Sequence, residues 1–311
     1  MEKNIKIYVA AHKEAEFPKE KIYIPIQVGA EGKKDLGYIK DNAGENISKK
    51  NPNYCELTGT YWIWKNDDSD IVGLTHYRRY FFNKNSNKLE NVLNKKEIEQ
   101  LLNNYDIIVP EKTRIIQYTI KEAYCKLHKE KDLDECRKIV NELYPDYIHS
   151  FDEVMSKHSF YACNMFITSK KIFDEYYKWC FDILFELEKR TDISDYDNYN
   201  KRIYGFMSER LFNVWLNYHK KLKKKYSKLS KMEIREKTLE LIEKGKVQYI
   251  HITDFARMLN VKEKDVFQVF ADLNKEGVLS QAKHYLPHDT YRPEDSGWMD
   301  DIYEVRKKME K

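Results

Sequence analysis

The 311-residue sequence predicts an α/β fold, a mainly parallel sheet flanked by helices, followed by a small and mostly helical unit. Three observations predict it. Short Ile- and Val-rich runs alternate with helical patterns, and such alternation needs crossover connections that leave neighbouring strands parallel. The alternation stops after His219. A lysine run then intervenes, so the expected units are residues 1–224 and 225–311.

IKIYVAAH (Ile5 to His12) reads as the first strand and KIYIPIQVGA (Lys21 to Ala30) as the second. Pro25 lacks a backbone donor, which argues for an edge position. After polar, glycine-containing sequence, YCELTGTYWIWKN sets Leu57, Tyr61 and Trp64 on one helical face, with Asn53 as N-cap. SDIVGLTHYRRY is a strand with its loop, KKEIEQLLNNY an amphipathic helix, and YDIIVPEK a strand stopped by Pro110. Helical pattern dominates from Ile115 to about Met155. HSFYACNMFIT is expected as a strand and SKKIFDEYYKWCFDILFELEKR as a long helix. An Asp-, Asn- and Tyr-rich loop leads into the helix GFMSERLFNVWLNYH.

Composition narrows the class. With 41% hydrophobic and 34% charged residues the chain reads as a soluble globular protein. It has no apolar run long enough to span a bilayer. Five widely spaced cysteines without a CxxC pair read as reduced thiols, and the N-terminus lacks a signal-peptide core, so a cytoplasmic location is expected. The formal charge of +4 is too balanced to imply nucleic acid. Seven lysines between Lys220 and Lys231 form either a solvated face or a contact for anionic lipid at the inner face of a membrane. The 24 tyrosines suit sites that stack rings or sugars, although an AT-rich genome gives the same surplus.

In the small unit, ITDFARMLNVKEKDVFQVFADLNKEGVLSQ resembles the helix-turn-helix and wing start of winged-helix domains. Glu263, Asp265, Asp272 and Glu276 on its second helix offset Lys262, Lys264 and Lys275, which favours a packing or interaction role over DNA binding.

GLTHYRRYFF (Gly73 to Phe82) places a histidine, two arginines and two tyrosines where an apolar strand ends. Ligands of open α/β sheets bind beyond the carboxyl ends of strands. A strand end merely solvated by its arginines has the same local pattern.

The blocks KIYVAAHKEAEFP, IYIPIQVGAEGKKDLGYIKDNAGENISKKNPNYCELTGTYWIWKN, VGLTHYRRYF, YDIIVP, HSFYACNMFI and RIYGFMSERLFNVWL together resemble the DUF4422 family. That resemblance implies a GT-A-like glycosyltransferase of capsule and O-antigen synthesis, with galactofuranosyltransferases among its relatives. The implied reaction moves a sugar from a UDP-sugar to a surface-polysaccharide or lipid-linked glycan acceptor, with inversion. The alternatives are a nucleotide- or sugar-binding module without turnover, and a DNA-binding regulator led by the C-terminal unit.

Many such enzymes neutralise the leaving diphosphate with a DxD-bound cation. Here Pro110, Glu111 and Lys112 stand where that motif is expected, so no cofactor is expected and a divalent cation is the less favoured alternative. Planar arginines supply the same charge. The expected diphosphate clamp is His76, Arg78 and Arg79, assisted by Lys112, with His12 and Lys13 at the nucleotide. Asp67, Asp68 and Asp70 are the competing metal set, but they precede their strand. Glu209 in RIYGFMSER is the first candidate base, with Asp195 and Asp197 next. Asn164, Arg202, Tyr77 and Asp41 are expected at the donor or acceptor sugar. His128 is either on the acceptor side or simply packed.

Overall fold

The computed structural model describes residues 3–82, 88–115, 117–222 and 224–227, with single helical positions at Leu239, Val266, Val269 and Leu273. The first strand, β1 (Ile5–Ala11), is the hub. It pairs in parallel with β2 (Tyr23–Gln27) on one side and with β4 (Ile71–His76) on the other. The short β3 (Ile39–Lys40) continues the parallel set beside β2. Beyond β4, β8 (Phe166–Ser169) runs antiparallel between β4 and β5 (Ile107–Pro110), and β9 (Lys224–Ser227) closes the far edge parallel to β5. The resulting order, β3-β2-β1-β4-β8-β5-β9, is the mainly parallel, helix-flanked sheet expected.

Period-two alternation gives the sheet two buried faces. Ile5, Ile7, Val9 and Ile108 point to one side, where they meet α3 (Lys95–Leu102) through Ile98. Tyr8, Ala10, Val72, Leu74, Ile107 and Val109 point to the other, larger core. That side is covered by α2 (Leu57–Asn66), α4 (Ile120–Leu127), α5 (Glu130–Leu143), α6 (Ile148–Met155), α7 (Lys170–Arg190) and α8 (Ile203–Tyr218). Asn94 and Thr119 start α3 and α4 with reciprocal capping boxes. Much of the tyrosine surplus is spent in this core: Tyr54, Tyr124, Tyr176, Tyr177 and Tyr204 are buried.

Four expectations are corrected. The stretch around Tyr54 is two helices, α1 (Asn51–Tyr54) and α2, because Cys55 between them adopts φ of 54°. Asn53 caps neither; its amide donates to the Lys201 carbonyl at 2.8 Å. HSFYACNMFIT is likewise split, into β7 (Ser159–Phe160), which pairs with β6 (Thr113–Arg114), and β8. Cys163 and Asn164, at φ of 73° and 50°, make the break. Within the lysine run Lys224 to Ser227 form β9, so the expected boundary at 224/225 cuts that strand. Lysine is a usual guard of an exposed sheet edge. Finally, β2 is the penultimate strand, although β3 covers only Ile26 and Gln27 and leaves Pro25 at the open margin.

The winged-helix-like arrangement lies outside the described residues. Of its expected second helix, Val266, Val269 and Leu273 are helical and buried.

Candidate functional site

The registers place the carboxyl ends of β1, β2, β4 and β5, together with the start of β8, along one edge of the sheet. His12 follows β1 directly there. HYRR follows β4 as a tight hairpin: the His76 N–H donates to the Arg79 carbonyl at 3.1 Å and the Arg79 N–H to the His76 carbonyl at 2.8 Å. Tyr77 and Arg78 are therefore the tip, and the Tyr77 N–H is tied to the Ala10 carbonyl at 3.1 Å. The turn is anchored to β1 rather than simply projecting into solvent.

The Tyr77 ring organises the charges around it. His12 meets it edge-on at 5.4 Å, the Arg78 guanidinium lies 4.9 Å from its centroid, and the Lys13 ammonium 5.7 Å away. Partial desolvation, and then the positive charges of Lys13, Arg78, Lys33 and Arg202, hold the His12 imidazole below its ordinary 6.5. Lys13 and Arg78 thus lie with His12 against the Tyr77 ring, and the charges of Lys33 and Arg202 also bear on His12. That is a surface prepared for a polyanion.

The other side of the site carries carboxylates. Glu209, in the second turn of α8, is 21% exposed at its side chain. Its Oε1 accepts the Cys163 N–H at 2.8 Å and its Oε2 accepts from Arg210 Nη1 at 3.0 Å. Burial raises its proton affinity; Arg210 opposes this, Glu56 adds to it, and the Cys163 N–H and Arg79 oppose it, with a net upward shift. A carboxylate so placed takes a proton more readily than an exposed one. Cys163 itself is held from both sides, for its carbonyl accepts from His76 Nε2 at 2.9 Å.

Asn164 belongs to this acidic half. It is 1% exposed, and its amide nitrogen donates to Glu56 Oε1 at 2.9 Å and to Ser208 Oγ at 2.7 Å. Its buried Oδ1 has no hydrogen-bond partner. Arg202 Nε lies 3.1 Å from Cys55 Sγ, which brings the Asn200–Arg202 turn onto the strained Cys55. Cys55, Cys163 and Asn164 are the non-glycine residues with positive φ among the described residues, and all three border this one site. Backbone held in that region costs about 1–3 kcal/mol per residue and collects where function needs it.

Of the residues expected from sequence, His12, Lys13, Tyr77, Arg78 and Arg202 form the cationic half, and His76, Arg79, Asn164 and Glu209 lie on or beside the acidic half. The two arginines differ: Arg78 lies on the Tyr77 ring and its charge bears on His12, whereas the charge of Arg79 bears on Glu209. Four others take different positions. Asp41 is fully buried and accepts from Gly29 N, Ala30 N and Ser48 Oγ, so it shapes its own loop instead of reaching a sugar. Asp197 accepts from the Tyr199 and Asn200 N–H groups and the Asn200 amide, which fixes the turn before α8. Asp195 is exposed, and its charge bears on Asp132. Lys112 lies in a pocket with Lys157 and Lys220. His128 is packed: it lies 4.2 Å from Phe206 and its Nδ1 is 3.2 Å from Asn200 Oδ1.

Sequence reasoning missed Cys55, Cys163, Ser208 and Lys33. A positive φ at cysteine leaves no local signature, and Ser208 looks like any helix serine. The signal for Glu56 was visible only as an acid near a helix start.

The competing metal set is at the opposite edge. Asp67 is buried with Lys6 Nζ at 2.7 Å and the Tyr8 hydroxyl at 2.8 Å, and Ser69 also donates to it. Asp70 accepts from Asn4 N at 2.8 Å. Among the described residues no three His, Cys, Asp or Glu side chains converge as metal ligands do.

The fold matches a solved structure, the apo form of WbbM, a bifunctional glycosyltransferase, at 31% identity and a TM-score of 0.66. The match covers 73% of this chain and 45% of that one, so this chain spans less than half the length of WbbM. No curated protein matches. The model of a domain of unknown function, DUF4422, matches residues 6–223, the span that contains the whole sheet edge described above except β9. The chain belongs to the DUF4422 family.

Proposed function

We propose that this protein is a glycosyltransferase that moves a sugar from a UDP-sugar to a hydroxyl of a surface-polysaccharide or lipid-linked glycan. The observation that supports the reading is the grouping of His12, Lys13 and Arg78 on the Tyr77 ring at the same sheet edge as the proton-attracting Glu209, on a fold matched by a glycosyltransferase. The leaving diphosphate lies against Arg78, Lys13 and Arg202, whose charges stabilise it as it departs. The acceptor oxygen attacks the anomeric carbon from the face opposite the diphosphate. Its proton passes to Glu209 as the C–O bond to phosphate breaks and the electron pair leaves with the diphosphate. The product is inverted. Asn164, with a free buried carbonyl oxygen, accepts a hydroxyl of the donor sugar. Galactofuranose is the preferred sugar by family resemblance, and side-chain cations serve in place of a divalent ion.

No helix among the described residues is long and apolar enough to cross a membrane. Peripheral attachment through the basic run after Lys220 would bring a lipid-linked acceptor close.

The test is a calorimetric titration with UDP, with and without EDTA, on the wild type and on Arg78→Ala combined with Arg79→Ala. Binding that survives EDTA and is lost in the double variant is expected. Binding that requires a restored divalent ion refutes the arginine clamp, and absence of UDP binding refutes the transferase reading.

A further inference from the structure

A polar cavity of about 200 Å³ opens between Lys112 and the α8 residues Asn213, Leu216 and Asn217. Lys112, Lys157, Lys220, Ser159, Asn213 and Asn217 supply its polar lining. Its charge is unbalanced. Lys157 and Lys220 share one carboxylate, Glu153, at 2.9 Å each, and among the described residues Lys112 has no carboxylate partner. Its ammonium instead lies 5.0 Å from the Tyr161 ring centroid. Burial and the neighbouring Lys157 both lower the proton affinity of Lys112, as expected for a cation held in place without an anion. Three ammonium groups against one carboxylate, with the Ser159 hydroxyl in the same lining, are the chemistry of a phosphate-type anion site.

The cavity is also wired to Glu209. Asn213 follows Glu209 by four residues on α8, about 6 Å along the helix. Its amide nitrogen donates to the Glu209 carbonyl at 2.7 Å and to the Tyr161 carbonyl at 2.9 Å, and its Oδ1 accepts the Tyr161 N–H at 2.8 Å. Tyr161 in turn lies two residues before Cys163, whose N–H holds Glu209. Asn213 and the Tyr161–Cys163 stretch thus connect the cavity lining to the backbone that holds Glu209.

We propose that this cavity binds a phosphate or diphosphate group, and that this group belongs to the acceptor, so that Lys112 anchors the molecule whose hydroxyl meets Glu209. The acceptor assignment rests on the transferase reading; the anion site does not.

The experiment is calorimetry of the full chain with sodium pyrophosphate, in one arm with UDP in excess to fill the donor site and in the other without it. Wild-type protein is expected to bind pyrophosphate in the presence of UDP. Lys112→Gln should weaken that binding about tenfold, the scale of one charge-assisted contact, while Lys112→Arg keeps it within about threefold. Glu153→Gln, which removes the competing carboxylate, should tighten it severalfold. A short-chain prenyl diphosphate separates the sources: tighter binding than pyrophosphate, with the same dependence on Lys112, assigns a lipid-linked acceptor, and equal affinity assigns a soluble phosphate ester. Loss of pyrophosphate binding once UDP is added, or equal affinity in wild type and Lys112→Gln, overturns the proposal. The UDP heats themselves report separately on the donor site, so failure of the transferase reading is distinguishable from failure of this one.

Discussion

Replacing Glu209 with Gln isolates the proton transfer from the architecture. The amide has nearly the same shape, and its carbonyl can still accept the Cys163 N–H that now reaches Oε1 at 2.8 Å. The ion pair to Arg210 is lost, but Arg210 keeps its hydrogen bond to the Phe206 carbonyl at 3.0 Å and its stacking near Tyr124 and Phe160. Removing a partly buried carboxylate also relieves its desolvation, which offsets part of that loss. The net cost to stability is therefore small, about 1 kcal/mol, or a melting shift of about 2–4 °C for a chain of this size. Catalysis should respond on a different scale. A positioned base contributes about 10²–10⁴-fold, so kcat should fall by that factor, a barrier raised by about 3–5 kcal/mol, with the UDP affinity nearly unchanged. The pH profile adds a sign. Burial raises the Glu209 proton affinity, so wild-type turnover should fall as pH drops through a value above the ordinary carboxylate range, and that limb should vanish in Glu209→Gln. The assay is donor turnover from about pH 5 to 8 at saturating UDP-sugar, with melting curves on both proteins. A loss of turnover below about threefold in Glu209→Gln, or an acid limb that persists in the variant, refutes the assignment of the base.

Three further outcomes test the same geometry. Arg78→Ala should weaken UDP about 10- to 30-fold, about 1.5–2 kcal/mol for one charge-assisted contact, whereas Arg79→Ala should leave UDP affinity within about threefold and move the acid limb of turnover instead, because Arg79 acts on Glu209; equal losses of affinity in the two variants would contradict that division. Gly205→Ala places a methyl 3.1 Å from Cys55 Sγ, and the helix-propensity gain of about 1 kcal/mol offsets the crowding, so melting should hardly change while UDP affinity drops severalfold through the Cys55–Arg202 contact. His128 is held neutral down to about 4 by burial, with Arg210 next, so the stability it contributes is complete above 6.5 and is lost as pH falls toward 4. Urea titrations across that window should show a decline of about 3 kcal/mol in the wild type that His128→Gln removes; parallel declines in the two proteins would sink the attribution.

How much of this was legible in the chain differs from element to element. β1, β4, α3 and α7 were readable because apolar alternation and helical periodicity are written locally. The HYRR segment was readable as a candidate because strand ends carry ligands in this fold class, and its place at the end of β4 is where the structure puts it. The splitting of the Tyr54 helix was not readable: Cys55 takes a positive φ only because Asn51, Arg202 and the start of α8 hold it there. β9 was hidden for a related reason, since a lysine-rich stretch becomes a strand only when β5 offers it an open edge.

The sequence by itself determined the α/β class and singled out the strand ends and residue types of the candidate site, because periodicity and strand-end chemistry are local properties. The division of labour was decided by tertiary structure alone. Arg78 and Arg79 are neighbours in the chain yet serve opposite halves of the site, Asp41 and Asp197 are drawn into loop scaffolds by backbone donors, and Lys112 joins lysines that lie 45 and 108 residues later. Those outcomes depend on which distant groups share a dielectric and a hydrogen bond, and only the folded chain brings them together.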